Sequence, residues 1–513
     1  MSGTEGSVEG IKLTESVVIV ADLYRGGTSN KDGQNITIEI TKEEEALFNL
    51  LKGCAVSNGL NMGMYKCNSE IPHADFRVAG GWVRDKLLKV ESKDIDIALE
   101  HLTGVEFCNY LNAFTEKHMG FHKTVGVVKR RPEQSKHLET ATLSILGLNV
   151  DFVNLRSEDY ADDSRIPIMR IGSPLEDAMR RDFTINSLFY NISKNAIEDY
   201  TGKGIDDLKS QIIRTCSPAF GTFMDDPLRV IRAARFSARL GYALDEEIWN
   251  ASSHPSILNQ LANKPRIAQE LDDMLTRGDV AKAFETMNHW GVLPHLVREH
   301  QCDLPSDQQI SVGCKTMALV RDCLRIIGWD NINRKFLYLS AFCFPLSNEP
   351  PVGKCSYIEH VIKCRLKLPN KLASGAKTIV DGSEEFAALV NGLPSNTEEV
   401  RERIGIAIRH IGPLWMEALL LCMANEASDG DLHELKDKYE DLVATINQLG
   451  LQNAYSLKAP ITGEELINLI PGLTRGPYFK EALELQIRLL LRSPHISKQE
   501  LLQRVTQIIK DEM

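Results

Sequence analysis

Apolar positions recur with two different periods along this chain, and the place where the period changes divides it. An apolar run at Ser16–Leu23 leads into a Gly/Ser/Asn cluster. Ile36–Ile40 then reads as a short strand, and Leu47, Leu50 and Leu51 space Glu43–Ser57 as a helix. From Asp75 to Leu155 the pattern predicts strands at Phe76–Ala79, Ile95–Leu99, Thr124–Val128, Thr140–Leu146 and Leu148–Leu155, with helices at Val83–Val90 and Val105–His118. Beyond Asp177 strands almost vanish. Ala178–Tyr190, Asp226–Leu240, Pro265–Leu275, Val280–Trp290 and most of the chain onward to Met513 carry helical spacing. No internal repeat is evident. The expectation is an α+β protein: a small sheet in an N-terminal domain, followed by a long helical part.

Composition narrows what such a chain does. With 43% hydrophobic and 25% charged residues over 513 positions, wholesale disorder is excluded and several packed cores are expected. The net charge of -11 excludes a protein that coats nucleic acid with its whole surface, so any such contact is a local patch. The longest apolar stretch, Ala418–Ala424, is too short to span a bilayer, and no membrane partner is expected. Eleven scattered cysteines without a C-x-x-C pair fit reduced thiols in the cytosol or nucleus. Met1–Glu15 has no hydrophobic core of a signal peptide, and the first arginine is Arg25, so no import signal is read there.

Candidate chemistry sits at four places. Gly80-Gly81-Trp82-Val83-Arg84-Asp85 joins a strand to a helix. Glycines let backbone approach a phosphate and Arg84 adds a forked cation, although a glycine pair alone most often only turns the chain. Asp94-Ile95-Asp96 follows. At i and i+2 on a strand the two carboxylates share a face while Ile95 and Ile97 take the other, and hard oxygen ligands so placed suit Mg²⁺. Asp151, on the apolar strand Val150–Leu155, needs a partner: either Arg156 or another basic residue, or the same metal as a third carboxylate. Arg180-Arg181-Asp182 opens a stretch in which Ile185, Leu188 and Phe189 share a helical face. Arginines at a helix start oppose its dipole and ask for an anion such as a nucleotide. In Asp225-Asp226-Pro227-Leu228-Arg229, Pro227 suits the first turn of a helix capped by an aspartate. Arg229, Arg232, Arg235 and Arg239 then fall on one face with no acid between them, as an anion-binding stripe or a solvated one.

Taken together, Gly-Gly-x-Val-Arg-Asp, Asp-x-Asp, Arg-Arg-Asp-x-Thr-Ile-Asn and Asp-Asp-Pro-Leu-Arg resemble, in order, the motifs of class II CCA-adding tRNA nucleotidyltransferases. Glu198–Leu208 resembles the segment joining head to neck, and Pro265–Leu271 the last motif, so the resemblance runs from Phe76 to Leu275; the long helical C-terminus resembles the eukaryotic, fungal branch. It implies a polymerase-β-like head over 1–200, a helical neck over 201–300, a body over 301–420 and a tRNA-binding tail over 421–513. The implied activity is addition of C, C and A to tRNA from CTP and ATP. Carried over by residue, Asp94 and Asp96 would bind catalytic Mg²⁺ and Gly80, Gly81 and Arg84 the triphosphate. Arg180, Arg181 and Asp182 would take the ribose, Asp226 and Arg229 the base, and Arg232 and Arg235 would support the nucleotide site. Ser157–Glu176 would be the flexible loop that helps switch from C to A. The partners implied are tRNA, held at its acceptor stem and elbow, and the two nucleotides, with a monomeric enzyme serving cytoplasm, nucleus and, by resemblance, mitochondrion. Two positions depart from the pattern: Asp225 stands where glutamate is usual, and Pro265 where an acid precedes Arg266. A poly(A) polymerase of the same superfamily would share nearly every motif. An RNA-binding protein without catalysis is disfavoured by the intact Asp94 and Asp96.

Overall fold

The computed structural model describes residues 37–56, 76–92, 94–100, 102–128, 140–159, 168–261, 266–299, 304–393, 396–427, 431–470 and 472–512. They fall into two compact units, Met1–Ala233 with Tyr242–Ile257, and Ala234–Gly241 with Leu258–Met513. The boundary thus lies inside the stretch read from sequence as a neck.

The first unit is built on a seven-stranded mixed sheet. Its strands are β1 (Arg77–Ala79), β2 (Asp94–Leu99), β3 (Gly126–Val128), β4 (Thr140–Ile145), β5 (Leu148–Asn154), β8 (Phe189–Asn191) and β9 (Ala196–Glu198), in the order β3-β4-β5-β2-β1-β8-β9. Two further strands, β6 (Arg156–Asp159) and β7 (Ile168–Ile171), pair antiparallel as a separate hairpin. Only β2 and β5 run parallel among the sheet neighbours, with Asp96 opposite Asp151 and Ile97 opposite Phe152. Alternation puts Ile95, Ile97, Val150 and Phe152 into one core with Leu47, Leu51, Phe107 and Leu111 of the helices Lys42–Val56 and Gly104–Met119. The second of these helices starts at a capping box between Thr103 and Glu106 and stops at left-handed Gly120.

Three expectations change. Residues 37–40 form no strand, although Ile38 and Ile40 pack on the core; the run Ser16–Leu23 lies outside the described residues. Ala178–Tyr190 is not a helix. A short helix, Pro174–Met179, ends there, a single 3₁₀ turn follows at Thr184–Asn186, and Phe189–Asn191 joins the sheet beside β1. Tertiary pairing overrides the local period: Thr184 N donates to Arg214 O (2.9 Å), and Gly80 N to Leu188 O (2.9 Å). Arg180 and Arg181 therefore follow a helix C-terminus, where cations are favourable, instead of opposing an N-terminus. Finally, strands persist past Asp177, as β8 and β9 and as the parallel pair Ile212–Ile213 and Ala243–Leu244.

The second unit is helical, with long members at Asp307–Ile327, Asn370–Val390, Thr397–Ile411, Leu432–Gln448, Pro477–Arg492 and Lys498–Glu512. Among the described residues one stretch, Thr397–Glu426, is by length and composition apolar enough to cross a membrane, but it is mostly buried and Ala418–Ala424 form core. The last helices carry a small core of their own, including Ile461, Leu466, Leu501, Val505 and Ile509.

Candidate active site

The carboxylates come from neighbouring strands. Asp94 opens β2 exposed to solvent, Asp96 is half-buried two residues on, and Asp151 stands beside Asp96 across the parallel register. Asp151 takes a hydrogen bond from Thr142 Oγ1 (2.6 Å), a partner on β4 that sequence reasoning did not name. Burial, and then the charges of Asp151 and Asp94, push the Asp96 carboxyl up to about 6, against the pull of Arg181 and Arg156. Asp96 thus resists ionisation beside two further acids, a crowding of negative charge that a cation would relieve. Among the described residues no group of three or more His, Cys, Asp or Glu lies close enough to enclose a metal by itself. A Mg²⁺ ion held by one or two carboxylates, with the rest of its shell from phosphate and water, fits such a partial set.

Gly80 precedes the helix Gly81–Leu87 with φ +70°. A Cβ there would lie 2.7 Å from Arg181 Nη1 and 3.1 Å from Asn186 O, so both backbone angle and space call for glycine. Arg84, read from sequence as a triphosphate ligand, is only 3% exposed. Its Nε donates to Asp85 Oδ1 (2.8 Å) and its Nη1 to Asn186 Oδ1. The guanidinium therefore ties the glycine turn to the Arg-Arg-Asp segment from beneath.

Asn186 extends this chain by donating to Asp182 Oδ1 (3.1 Å). Asp182 also takes Phe183 N (2.8 Å) and, on Oδ2, both Arg232 Nε (2.8 Å) and Nη2 (2.7 Å). Burial raises the Asp182 carboxyl, but Arg232 outweighs it and holds the group below the usual carboxylate range. Arg181 lies on the Phe189 ring, 5.1 Å from its centroid, and its charge reaches Asp96 and Asp182.

The arginine stripe is on the helix Leu228–Leu240, and Arg229, Arg232 and Arg235 have partners distant in sequence. Arg229 Nη2 donates to Arg180 O (2.7 Å), and Arg232 clasps Asp182. Arg235, which belongs to the second unit, is buried against Glu270 (2.7 Å) within that unit. Asp226 sits just before this helix in extended backbone, and its Oδ1 accepts from Leu228 N (3.2 Å). Arg266 is exposed at the start of the helix Ile267–Thr276. Of the loop Ser157–Glu176, the described parts are β6, β7 and the capping box of Ser173 and Glu176.

One unit thus carries Gly80, Gly81, Arg84, Asp94, Asp96, Asp151, Arg180, Arg181, Asp182, Asp226, Arg229 and Arg232. Residues 76–214 match the Poly A polymerase head domain family. Over 452 residues the chain is 30% identical to tRNA nucleotidyltransferase cca1 of Schizosaccharomyces pombe, a match covering 83% of this chain and 90% of that protein. The chain belongs to the CCA tRNA nucleotidyltransferases. It is 28% identical over 522 residues to the mitochondrial CCA tRNA nucleotidyltransferase of Saccharomyces cerevisiae, covering 92% of this chain and 94% of the yeast protein. The fold agrees. The Bacillus stearothermophilus CCA-adding enzyme solved in complex with CTP superposes with a TM-score of 0.64 at 19% identity, over 92% of this chain and 99% of that one. Nucleotidyltransferases of this superfamily are metal-dependent enzymes.

Proposed function

We propose that this nucleotidyltransferase adds C, C and A to the 3′ end of tRNA from CTP and ATP, without a nucleic-acid template, through the residues assembled above. The observation that carries the site assignment is the register of β2 and β5, which sets Asp96 beside Asp151 and within reach of Arg181's charge. Mg²⁺ is the metal proposed. Held by Asp94 and Asp96, with Asp151 as the neighbouring third carboxylate, it would supply Lewis acidity at the nucleotide α-phosphate and the primer 3′-hydroxyl.

The protein's own groups do the rest. Gly80 and Gly81 give the triphosphate an approach to backbone, with Arg84 bracing the turn from below. Arg180 and Arg181 face the sugar and phosphates, and Asp182 fixes Arg232 beside them. Asp226 offers an acceptor and Arg229 a donor to the base. Cytosine and adenine both present a donor amine next to an acceptor ring nitrogen; guanine and uracil present the reverse and would leave buried groups unpaired. Exposed Lys480 and Arg488 are candidates for sequence-independent contacts to tRNA. The mitochondrion is the compartment proposed for this chain, because two fungal relatives are named as mitochondrial.

Incorporation into tRNA ending before CCA, one nucleotide at a time, tests this reading. CMP should add twice, then AMP once, and extension should stop. Continued A addition would make the chain a poly(A) polymerase. Asp94→Ala should abolish both C and A addition; normal rates in that variant would remove the carboxylates from the mechanism.

A further inference from the structure

We propose that Asp177, a carboxylate with almost no contact with solvent, is a positioning residue for the nucleotide site. It holds Arg180 and Arg181 together and, through Arg180, sets the place of Arg229. The inference rests on the reading above of these arginines as nucleotide-facing groups.

Asp177 is 1% exposed, on the last turn of the helix Pro174–Met179. Its Oδ2 accepts from Arg181 Nε (2.9 Å), with Arg181 Nη2 at 2.8 Å. Its Oδ1 accepts from Arg180 Nε (2.9 Å), from Arg180 Nη2 and from Arg156 N (3.1 Å). One carboxylate is thus saturated by two guanidinium forks and one backbone N–H. Burial alone would raise its carboxyl, but Arg181 and Arg180 outweigh burial and keep it below the usual range, so it stays anionic.

A buried anion is an expensive way to stabilise a helix end; an apolar side chain serves packing as well. What the anion adds is orientation. Two adjacent guanidinium groups repel and would swing apart in solvent, whereas a shared carboxylate fixes both. The same acid reaches further by two routes. Arg229 donates to the carbonyl of Arg180, so the base side of the site leans on the residue Asp177 holds. Arg156 N belongs to the root of the β6–β7 hairpin, where Ser157 also donates to Glu176 (3.2 Å). Sugar-side arginines, base-side arginine and hairpin root therefore share one node.

Asp177→Asn keeps the size and loses the charge. The KM for CTP on tRNA ending before CCA, and for ATP on tRNA ending in CC, should both rise about tenfold or more, as expected for weakened charged hydrogen bonds. The kcat should stay within about threefold, because the carboxylates of β2 are untouched. Asp177→Asn combined with Arg180→Gln should be less than multiplicative relative to the two single variants. Unchanged KM, a fall in kcat alone, or multiplicative effects would overturn the proposal. If Asp177→Asn does not fold, Asp177→Glu decides, since it keeps the charge and displaces it by one methylene: a raised KM for both nucleotides with kcat within about threefold supports the node, and an unchanged KM removes it. Calorimetric Kd for CTP separates the two levels of inference. A wild-type chain that binds CTP but adds neither C nor A overturns the proposed activity, while a tenfold weaker Kd in Asp177→Asn still supports the positioning role and an equal Kd overturns it.

Discussion

Replacing Asp96 by asparagine should make the metal-free protein more stable while destroying its activity. Burial and the nearby Asp151 and Asp94 carry the Asp96 carboxyl from 3.8 to about 6. At about 1.4 kcal/mol per pK unit, ionised Asp96 costs the folded state up to roughly 3 kcal/mol. Water penetration and side-chain relaxation reduce this to about 1–3 kcal/mol. The sign follows from proton linkage. The folded carboxyl holds its proton more tightly than the unfolded one, so the group favours folding below pH 4 and loses that contribution as pH rises through about 6. Asp96→Asn cannot ionise and escapes the loss. In EDTA its melting transition should match wild type near pH 4 and lie roughly 2–10 °C higher above pH 6.5. Millimolar Mg²⁺ should stabilise wild type more than the variant and narrow the gap. Differential scanning calorimetry of both proteins at pH 4.5, 6 and 7.5, with and without Mg²⁺, measures each part. A variant no more stable than wild type at pH 7.5 in EDTA, or a gap independent of pH, would refute the account of three crowded acids.

Gly80→Ala should lower stability by about 1–3 kcal/mol, since its Cβ would meet Arg181 Nη1 at 2.7 Å in a left-handed backbone, and denaturant titration reads that loss. Arg229→Ala should relax base choice more than it blocks chemistry: CTP and ATP lose about 1–3 kcal/mol in kcat/KM while the relative use of GTP and UTP rises, and a proportional fall for all four would make Arg229 a structural residue. Lys480→Glu with Arg488→Glu should raise KM for tRNA and flatten its salt dependence without changing the nucleotide KM; an unchanged tRNA KM would place the tRNA elsewhere.

The parts of the site that depend on short-range order were legible in the sequence. Asp94 and Asp96 declare a shared face by spacing alone, and the strand periods around them predict the core of Ile95 and Ile97. What escaped depends on distant pairing. The spacing of Ile185, Leu188 and Phe189 satisfies a helix as readily as the observed turn and strand, and pairing with β1, over a hundred residues earlier (Arg77 to Asn191), and with β9 decides between them. That Arg84 donates to Asn186 could not be read, because Asn186 lies in another motif. The arginine stripe looked unpaired because Asp182 and Glu270 are remote in sequence. Asp177 could have been found, since it stands three and four residues before two arginines, the spacing of helical ion pairs.

The alternation of acids and isoleucines on β2 also governs which length changes the gene can accept. One codon gained or lost between Asp94 and Leu99 would turn the carboxylates into the core and the isoleucines out to solvent, so packing and chemistry fail together. The same holds for Asn149–Asn154 on β5, whose partner residues are locked one to one. Outside the strands, after Leu87, a codon can be added without disturbing that parity. Insertions and deletions among descendants of this chain should therefore gather at strand ends, leaving the two central strands constant in length even where their residues change.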